Sequence, residues 1–251
     1  MTAYSHSRIE CFNICPYKFK LSYIDELDTL PSDDPNNALV IGSALHLGIE
    51  QGIDAGIDYY KSQFNILSDE QVNEMIKLET LIPKVERFIN RNNAIFEYKL
   101  ENDDFIGFID YIEDDGNNNV KIYDFKYSNN IDRYLESDQL HLYKYFYEKL
   151  NPFKTVTELG FIFVPKTAIR QKKTETIYEF RQRLICELDN KDVQLITVNY
   201  DPKKVIGFFE NVKKVMEARE YPKKESNLCR FCAFSNYCSN GVDYDIIHKK
   251  S

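Results

Sequence analysis

The 251-residue sequence has no tryptophan, three methionines, nine glycines and eight prolines. No apolar run approaches membrane-spanning length, and the first residues lack the basic-then-apolar pattern of a secretory signal. Neither an internal repeat nor a low-complexity linker is present. There is no Gly-x4-Gly-Lys-Ser/Thr loop, so any nucleotide-driven unwinding must come from elsewhere. Positive charge is also scarce, with 32 Lys and Arg against 40 Asp and Glu and a net charge of −8. That balance argues against a protein that coats polyanions. It leaves room for a cleft with local positive potential along one track, since metal-binding carboxylates would themselves add negative charge. Lysine pairs at 172–173, 203–204, 213–214 and 223–224 fit such a track, and fit solvated helix faces equally well. The length and composition predict a single cytoplasmic domain over 1–251.

Aromatic residues are plentiful, with 18 Tyr and 17 Phe. A helical N-terminal part over 1–60 is expected to begin at Ser5 or Ser7, break at Cys15-Pro16, and resume over 38–52 with His46. A polar loop over 31–37 separates the two stretches. A further helix opens at Ser68-Asp69-Glu70 and runs towards Asn92, with Pro83 kinking or splitting it. Three strands follow at 94–101, 104–113 and 119–127, then a helix at 137–150. The apolar run 155–164 fits a central strand. Helices at 175–189 and 202–219 flank a strand-like 193–200, and the tail from Tyr221 is a cysteine-bearing loop. This order predicts an α/β fold with a mixed central sheet flanked by helices, its sheet core within 94–165.

The most informative stretch is 107–127, two apolar runs around an acidic Gly/Asn-rich turn, which reads as a β-hairpin. Asp110 interrupts Phe108-Ile109-Asp110-Tyr111-Ile112, and Asp124 and Lys126 interrupt Ile122-Tyr123-Asp124-Phe125-Lys126-Tyr127. Alternation along a strand puts Asp124 and Lys126 on one face. Charges on a mostly apolar sheet are costly unless paired or bound to metal. Paired carboxylates bind hard divalent cations through oxygen, and such cations polarise phosphate and activate water. A bare Asp-x-Lys equally describes a structural ion pair. Glu97 or Glu101, on the preceding strand, offers a further acid, and the sequence does not separate the two.

His46 sits in Gly42-Ser43-Ala44-Leu45-His46, and Gln139 and Tyr143 lie four residues apart on one helix face. Each alone fits an ordinary helix. His6 and His248 have no supporting context, and His141 is notable only for neighbouring Gln139. Together, Gly42…His46, Gly107…Asp110, Asp124-Phe125-Lys126 and Gln139…Tyr143 resemble the RecB-like branch of the PD-(D/E)xK nuclease superfamily. The resemblance implies a restriction-endonuclease-like core and a metal-dependent deoxyribonuclease using Mg²⁺ or Mn²⁺. It assigns metal binding to His46, Asp110, Asp124 and the Phe125 carbonyl, and assistance of the attacking water to Lys126. Gln139 and Tyr143 would contact the DNA strand. An exonuclease on single strands or DNA ends is expected, leaving a 5′-phosphate and a 3′-hydroxyl. A rival is a DNA-binding or assembly subunit in which cleavage is incidental. Helicase, recombination or CRISPR adaptation proteins are the partners the resemblance suggests.

The six cysteines are Cys11, Cys15, Cys186, Cys229, Cys232 and Cys238. Without a signal segment, metal binding is a better default than disulfides. Cys229, Cys232 and Cys238 form a compact run within a loop at 221–240, one ligand short of a tetrahedral or cluster site. Members of the same branch with a cluster share one N-terminal cysteine before proline and three C-terminal ones. By resemblance, Cys15, Cys229, Cys232 and Cys238 would hold a [4Fe–4S] cluster, with Zn²⁺ as the alternative. Such a clasp closes a long segment and stabilises the fold by several kcal/mol. Cys11 is a rival ligand, and Cys186 reads as packing.

Overall fold

Ser5 starts the first helix as expected, its hydroxyl accepting the Arg8 N–H at 3.1 Å. The computed structural model describes residues 3–30 and 33–249. Helix α1 (His6–Ile14) ends at Cys15, whose extended backbone suits the residue before a proline, and Pro16 opens α2 (Pro16–Phe19). A π-helical turn follows, and then strand β1 (Leu27–Thr29). Positions 31 and 32 of the expected polar loop lie outside the described residues.

The Asn37 carboxamide caps α3 (Ala38–Gln51), which is followed by α4 (Ile53–Ser62) and α5 (Asp69–Val85). The sequence reading missed α4. Gly56 allows it, because a Cβ there would fall 2.5 Å from the Ala44 carbonyl oxygen and 2.9 Å from the Gly48 Cα. Ser68 and Gln71 form the capping box of α5. Pro83 lies within the last turn of α5 without splitting it, and the helix ends at Val85, short of Asn92.

Strands β2 (Ala94–Glu101), β3 (Ile106–Asp114) and β4 (Asn119–Tyr127) come next, then the short α6 (Ile131–Leu135), which the sequence reading missed, and α7 (Gln139–Leu150). After them lie β5 (Thr155–Val164), α8 (Ile177–Asp189), β6 (Gln194–Thr197) and α9 (Pro202–Glu217). The tail is more ordered than a loop. It holds a 3₁₀ turn at 227–231, α10 (Ser235–Asn240) and β7 (Ile246–His248).

Two compact units emerge among the described residues. One draws on 33–100 and 108–200, the other on 1–32, 101–107 and 201–251. In the first, five strands form one sheet in the order β2-β3-β4-β5-β6. The β3–β4 and β5–β6 pairs are antiparallel and β4–β5 is parallel, which makes the sheet mixed. The parallel pair needs a crossover, and α6 and α7 supply it. Ile41, Leu45 and Ile49 of α3 join Leu78 and Ile82 of α5, Tyr111, Tyr123 and Phe125 of the sheet, and Leu184 of α8 in one buried core. Helix α7 packs on β4 and β5.

In the second unit β1 pairs antiparallel with β7, from Leu27↔His248 to Thr29↔Ile246. Leu21, Leu27 and Phe234 are buried there, with Tyr17, Cys232 and Tyr237 packed against them.

Candidate metal centre

The β3–β4 ladder runs from Asp114↔Val120 to Tyr111↔Tyr123. One step further, a side chain replaces backbone pairing: the Phe125 N–H donates to Asp110 Oδ2 at 2.8 Å. The turn chemistry of 115–119 fixes the hairpin register and so sets Asp110 against this end of β4. Asp115 Oδ1 accepts the Asn117 and Asn119 N–H groups at 2.8 and 3.2 Å.

His46 reaches the same place from α3. Its Nε2 lies 3.3 Å from the Phe125 carbonyl oxygen, and its Nδ1 lies 3.6 Å from Asp110 Oδ1 and 3.8 Å from Glu97 Oε1. Burial alone would lower the pKa of the imidazole. The carboxylates of Asp110, Glu97 and Asp124 together outweigh burial and hold it at about 9. Asp110 moves the opposite way from an ordinary carboxylate. Burial, and then the charge of Asp124, push it up to about 7 against the opposing pull of His46 and Lys126.

Glu97 has an uncommon backbone, with φ of +50°. The residues on either side of it show what that conformation does. Phe96 stacks on Tyr111 on the core side at 5.4 Å, whereas Tyr98 packs on Tyr147 of α7 at 5.3 Å. On a regular strand residues two apart share a face. The left-handed backbone at Glu97 accompanies this change of side, and the Glu97 carboxylate faces His46. Among the described residues, His46, Glu97 and Asp110 are the one group of three or more His, Cys, Asp or Glu whose ligand atoms lie within 4.8 Å of one another. Glu101 is not part of it.

Asp124 is 1 % exposed, and its Oδ2 stands 2.5 Å from Lys126 Nζ. The contact is a charge-assisted pair between a buried carboxylate and a partly buried ammonium. Lys126 is held over the rings of Tyr134 and Phe161, 5.3 and 5.8 Å from their centres. Burial would lower its pKa, but Asp124 and Asp110 more than compensate and keep the ammonium charged.

An imidazole and two carboxylates, with the buried Asp124 carboxylate beside them, make a donor set of the kind that holds a hard divalent cation. His46, Glu97 and Asp110 fit such an ion, and Asp124 lies close enough to raise the pKa of both His46 and Asp110.

Gln139 Nε2 donates to the Tyr143 hydroxyl at 2.9 Å. Tyr143 is buried, which pushes its phenol well above the usual range, and Asp124 and Asp110 act in the same direction. The two residues singled out on α7 are thus joined to each other near the carboxylates. His141 turns elsewhere: it is buried, with its ring 6.0 Å from that of Tyr200.

In the other unit the two ends of the chain meet around the cysteines. Burial raises the Cys11 thiol, and Cys15 and Cys232 are close enough to raise it further. The Tyr17 N–H donates to the Pro222 carbonyl at 3.2 Å, and Lys224 Nζ donates to the Asn13 carbonyl at 3.0 Å. The Cys232 N–H donates to the Cys229 carbonyl at 3.1 Å, and Lys223 Nζ to the Cys238 carbonyl at 2.6 Å. All six cysteines are free thiols, and Cys186 is exposed on α8. The cysteine sulfurs do not converge as closely as the ligand atoms of His46, Glu97 and Asp110.

A family model described as the PD-(D/E)XK nuclease superfamily matches residues 3–239. A crystal structure from Eubacterium rectale, described as "putative exonuclease", is similar with a TM-score of 0.57 at 14% sequence identity. The likeness covers 91% of this chain and 87% of that one, and at such identity it speaks for the fold. No curated protein matches the chain. Among the described residues no helix is long and apolar enough to cross a membrane.

Proposed function

The chain belongs to the PD-(D/E)XK nuclease superfamily, and from that premise we propose that it is a DNA exonuclease of the RecB-like branch, acting on single strands or DNA ends. The observation that carries the reading is the convergence of His46, Glu97, Asp110, Asp124 and Lys126 where the β3–β4 ladder stops.

His46, Glu97 and Asp110, with Asp124 beside them, would hold Mg²⁺ or Mn²⁺. The ion supplies polarisation of the phosphate and activation of water when bound. His46 is fixed for this task by its Nε2 contact to the Phe125 carbonyl, which leaves Nδ1 to face the acids. The same carbonyl remains available to a cation through its second lone pair. Lys126 directs positive charge at the scissile phosphate, and its aromatic flanks limit where the ammonium can go. Gln139 and Tyr143 would contact the DNA strand beside it. The Eubacterium rectale protein of similar fold is described as an exonuclease, in keeping with this reading.

We also assign a [4Fe–4S] cluster to Cys15, Cys229, Cys232 and Cys238, with Zn²⁺ as the alternative. The meeting of 13–17 with 222–238 supports the assignment.

The test is cleavage of linear single-stranded DNA with Mg²⁺ or Mn²⁺, alongside circular, 5′-blocked and 3′-blocked substrates. Degradation that needs a free end is expected. Cutting of circular DNA would replace exonuclease with endonuclease, and cleavage retained in both Asp124→Ala and Lys126→Ala would undo the site assignment.

A further inference from the structure

Lys166 follows β5 by two residues, beside the end of β4. The pairing of these parallel strands closes with Lys126↔Phe163 and Tyr127↔Val164. Both strands therefore end together, and in open α/β sheets ligands bind beyond the carboxyl ends of the strands. The segment after β5 is locked to the segment after β4. Asn129 Nδ2 donates to the Lys166 carbonyl at 3.0 Å, and the Lys166 N–H donates to Asn129 Oδ1 at 2.8 Å. The Ser128 N–H adds a bond to the Val164 carbonyl at 3.1 Å.

The Lys166 ammonium lies 4.9 Å from the centre of the Tyr127 ring, and the residue is partly buried. Among the described residues no carboxylate forms an ion pair with it. The acid whose charge it feels, Glu74, is itself buried and committed to Lys77 in the i,i+3 ion pair. Glu74 and Lys77 cancel, so the cluster keeps one net positive charge. Burial lowers the pKa of Lys166, as it would for any cation drawn from water without a counter-ion.

A rigidly mounted, partly desolvated cation without a carboxylate ion-pair partner among the described residues suits an anion from outside the chain. Lys126 and Tyr127 are adjacent on β4 and project from opposite faces, so Lys126 and Lys166 flank the strand end from its two sides. We propose that Lys166 binds a backbone phosphate of the nucleic-acid strand next to the one being cut. This assignment rests on the nuclease reading, and it extends the strand's path beyond the metal centre.

The test is fluorescence anisotropy of a labelled single-stranded oligonucleotide, with Ca²⁺ replacing Mg²⁺ to prevent turnover, between 50 and 200 mM KCl. One lost phosphate contact on a single strand makes the slope of log affinity against log salt shallower by about 0.7. Over that fourfold salt range, the affinity of the Lys166→Gln protein should therefore fall about threefold less than that of the wild type. Lys166→Met, which retains a stem to pack on Tyr127, should behave the same way, whereas Lys166→Arg should keep the wild-type slope. Unchanged slopes in Lys166→Gln and Lys166→Met would overturn the assignment and leave Lys166 as ring packing. A wild type without salt-dependent binding would instead overturn the nuclease reading and this contact with it.

Discussion

His46 Nε2 lies 3.3 Å from the carbonyl oxygen of Phe125, 79 residues away in the sequence. With that nitrogen donating, the imidazole presents Nδ1 to Asp110 and Glu97. The contact ties helix α3 to the strand that carries Asp124 and Lys126. It also fixes the ring orientation before any ion arrives.

Glu97, rather than Glu101, should matter for metal binding. Glu97→Gln is expected to weaken Mn²⁺ binding at least about tenfold, roughly 1.4 kcal/mol, while Glu101→Gln leaves it unchanged. Calorimetric titration of both variants decides, and equal affinities would remove Glu97 from the site.

The left-handed backbone at Glu97 predicts an unusual order of stabilities. Glu97→Gly and Glu97→Ala both remove the carboxylate, but only glycine adopts a φ of +50° without strain. The glycine variant should be more stable than the alanine variant by about 1 kcal/mol in denaturant unfolding. Alanine matching or exceeding glycine would mean that the backbone at this position relaxes at no cost.

Stability and activity should separate at Asp124 and Lys126. Lys126→Met alone leaves a buried carboxylate without its counter-charge, at a cost of about 3–5 kcal/mol. Adding Asp124→Asn should recover most of that loss, measured by chemical unfolding, and the double variant should remain unable to cut DNA. Recovered cleavage would show that neither charge takes part in the reaction.

The metal centre should also make stability depend on pH. The Asp110 carboxyl, ordinarily at 3.8, is raised to about 7, so the folded chain keeps a proton that the unfolded chain releases. The stability this contributes is complete below 3.8 and lost as pH rises to about 7. His46 follows the same sign, from its ordinary 6.5 to about 9. Protein held in EDTA should therefore melt lower as pH rises over this span. The gain on adding Mn²⁺ should grow with pH, since the ion displaces those protons. A gain that stays flat between pH 6 and 9 would contradict the ligand set.

The cluster assignment predicts colour. Anaerobically prepared protein should be brown, and Cys15→Ser or Cys232→Ser should bleach it, whereas Cys186→Ser should not. The Cys11→Ser variant tells the two N-terminal thiols apart, because a bleached protein would make Cys11 the ligand. A colourless preparation containing zinc would replace the cluster with Zn²⁺.

Most of the sheet was legible because its signals are local. The apolar run at 155–164 became β5 with the same ends, and the Asp/Gly/Asn turn placed the hairpin to within two residues. Asp110, Asp124 and Lys126 stood out because charged residues interrupt strands whose neighbours are buried. Helix α4 was not legible, since what permits it is the close approach of Gly56 to α3, a contact absent from local periodicity. The β1–β7 pair was hidden for a similar reason: two three-residue strands more than 200 positions apart carry no local signature.

By itself, the sequence determined which residue types gather and in what order: the histidine helix, the acid-bearing hairpin, the Gln139–Tyr143 helix face and the cysteines at both ends. Those signals live in spacing and alternation, which the backbone translates directly into faces. Only the tertiary structure decided that Glu97 joins His46 and Asp110, because the three come from α3, β2 and β3 and meet through packing between elements that the sequence holds apart. Only it placed Lys166 beside Tyr127, because the ends of β4 and β5 meet through pairing between strands that the sequence holds apart.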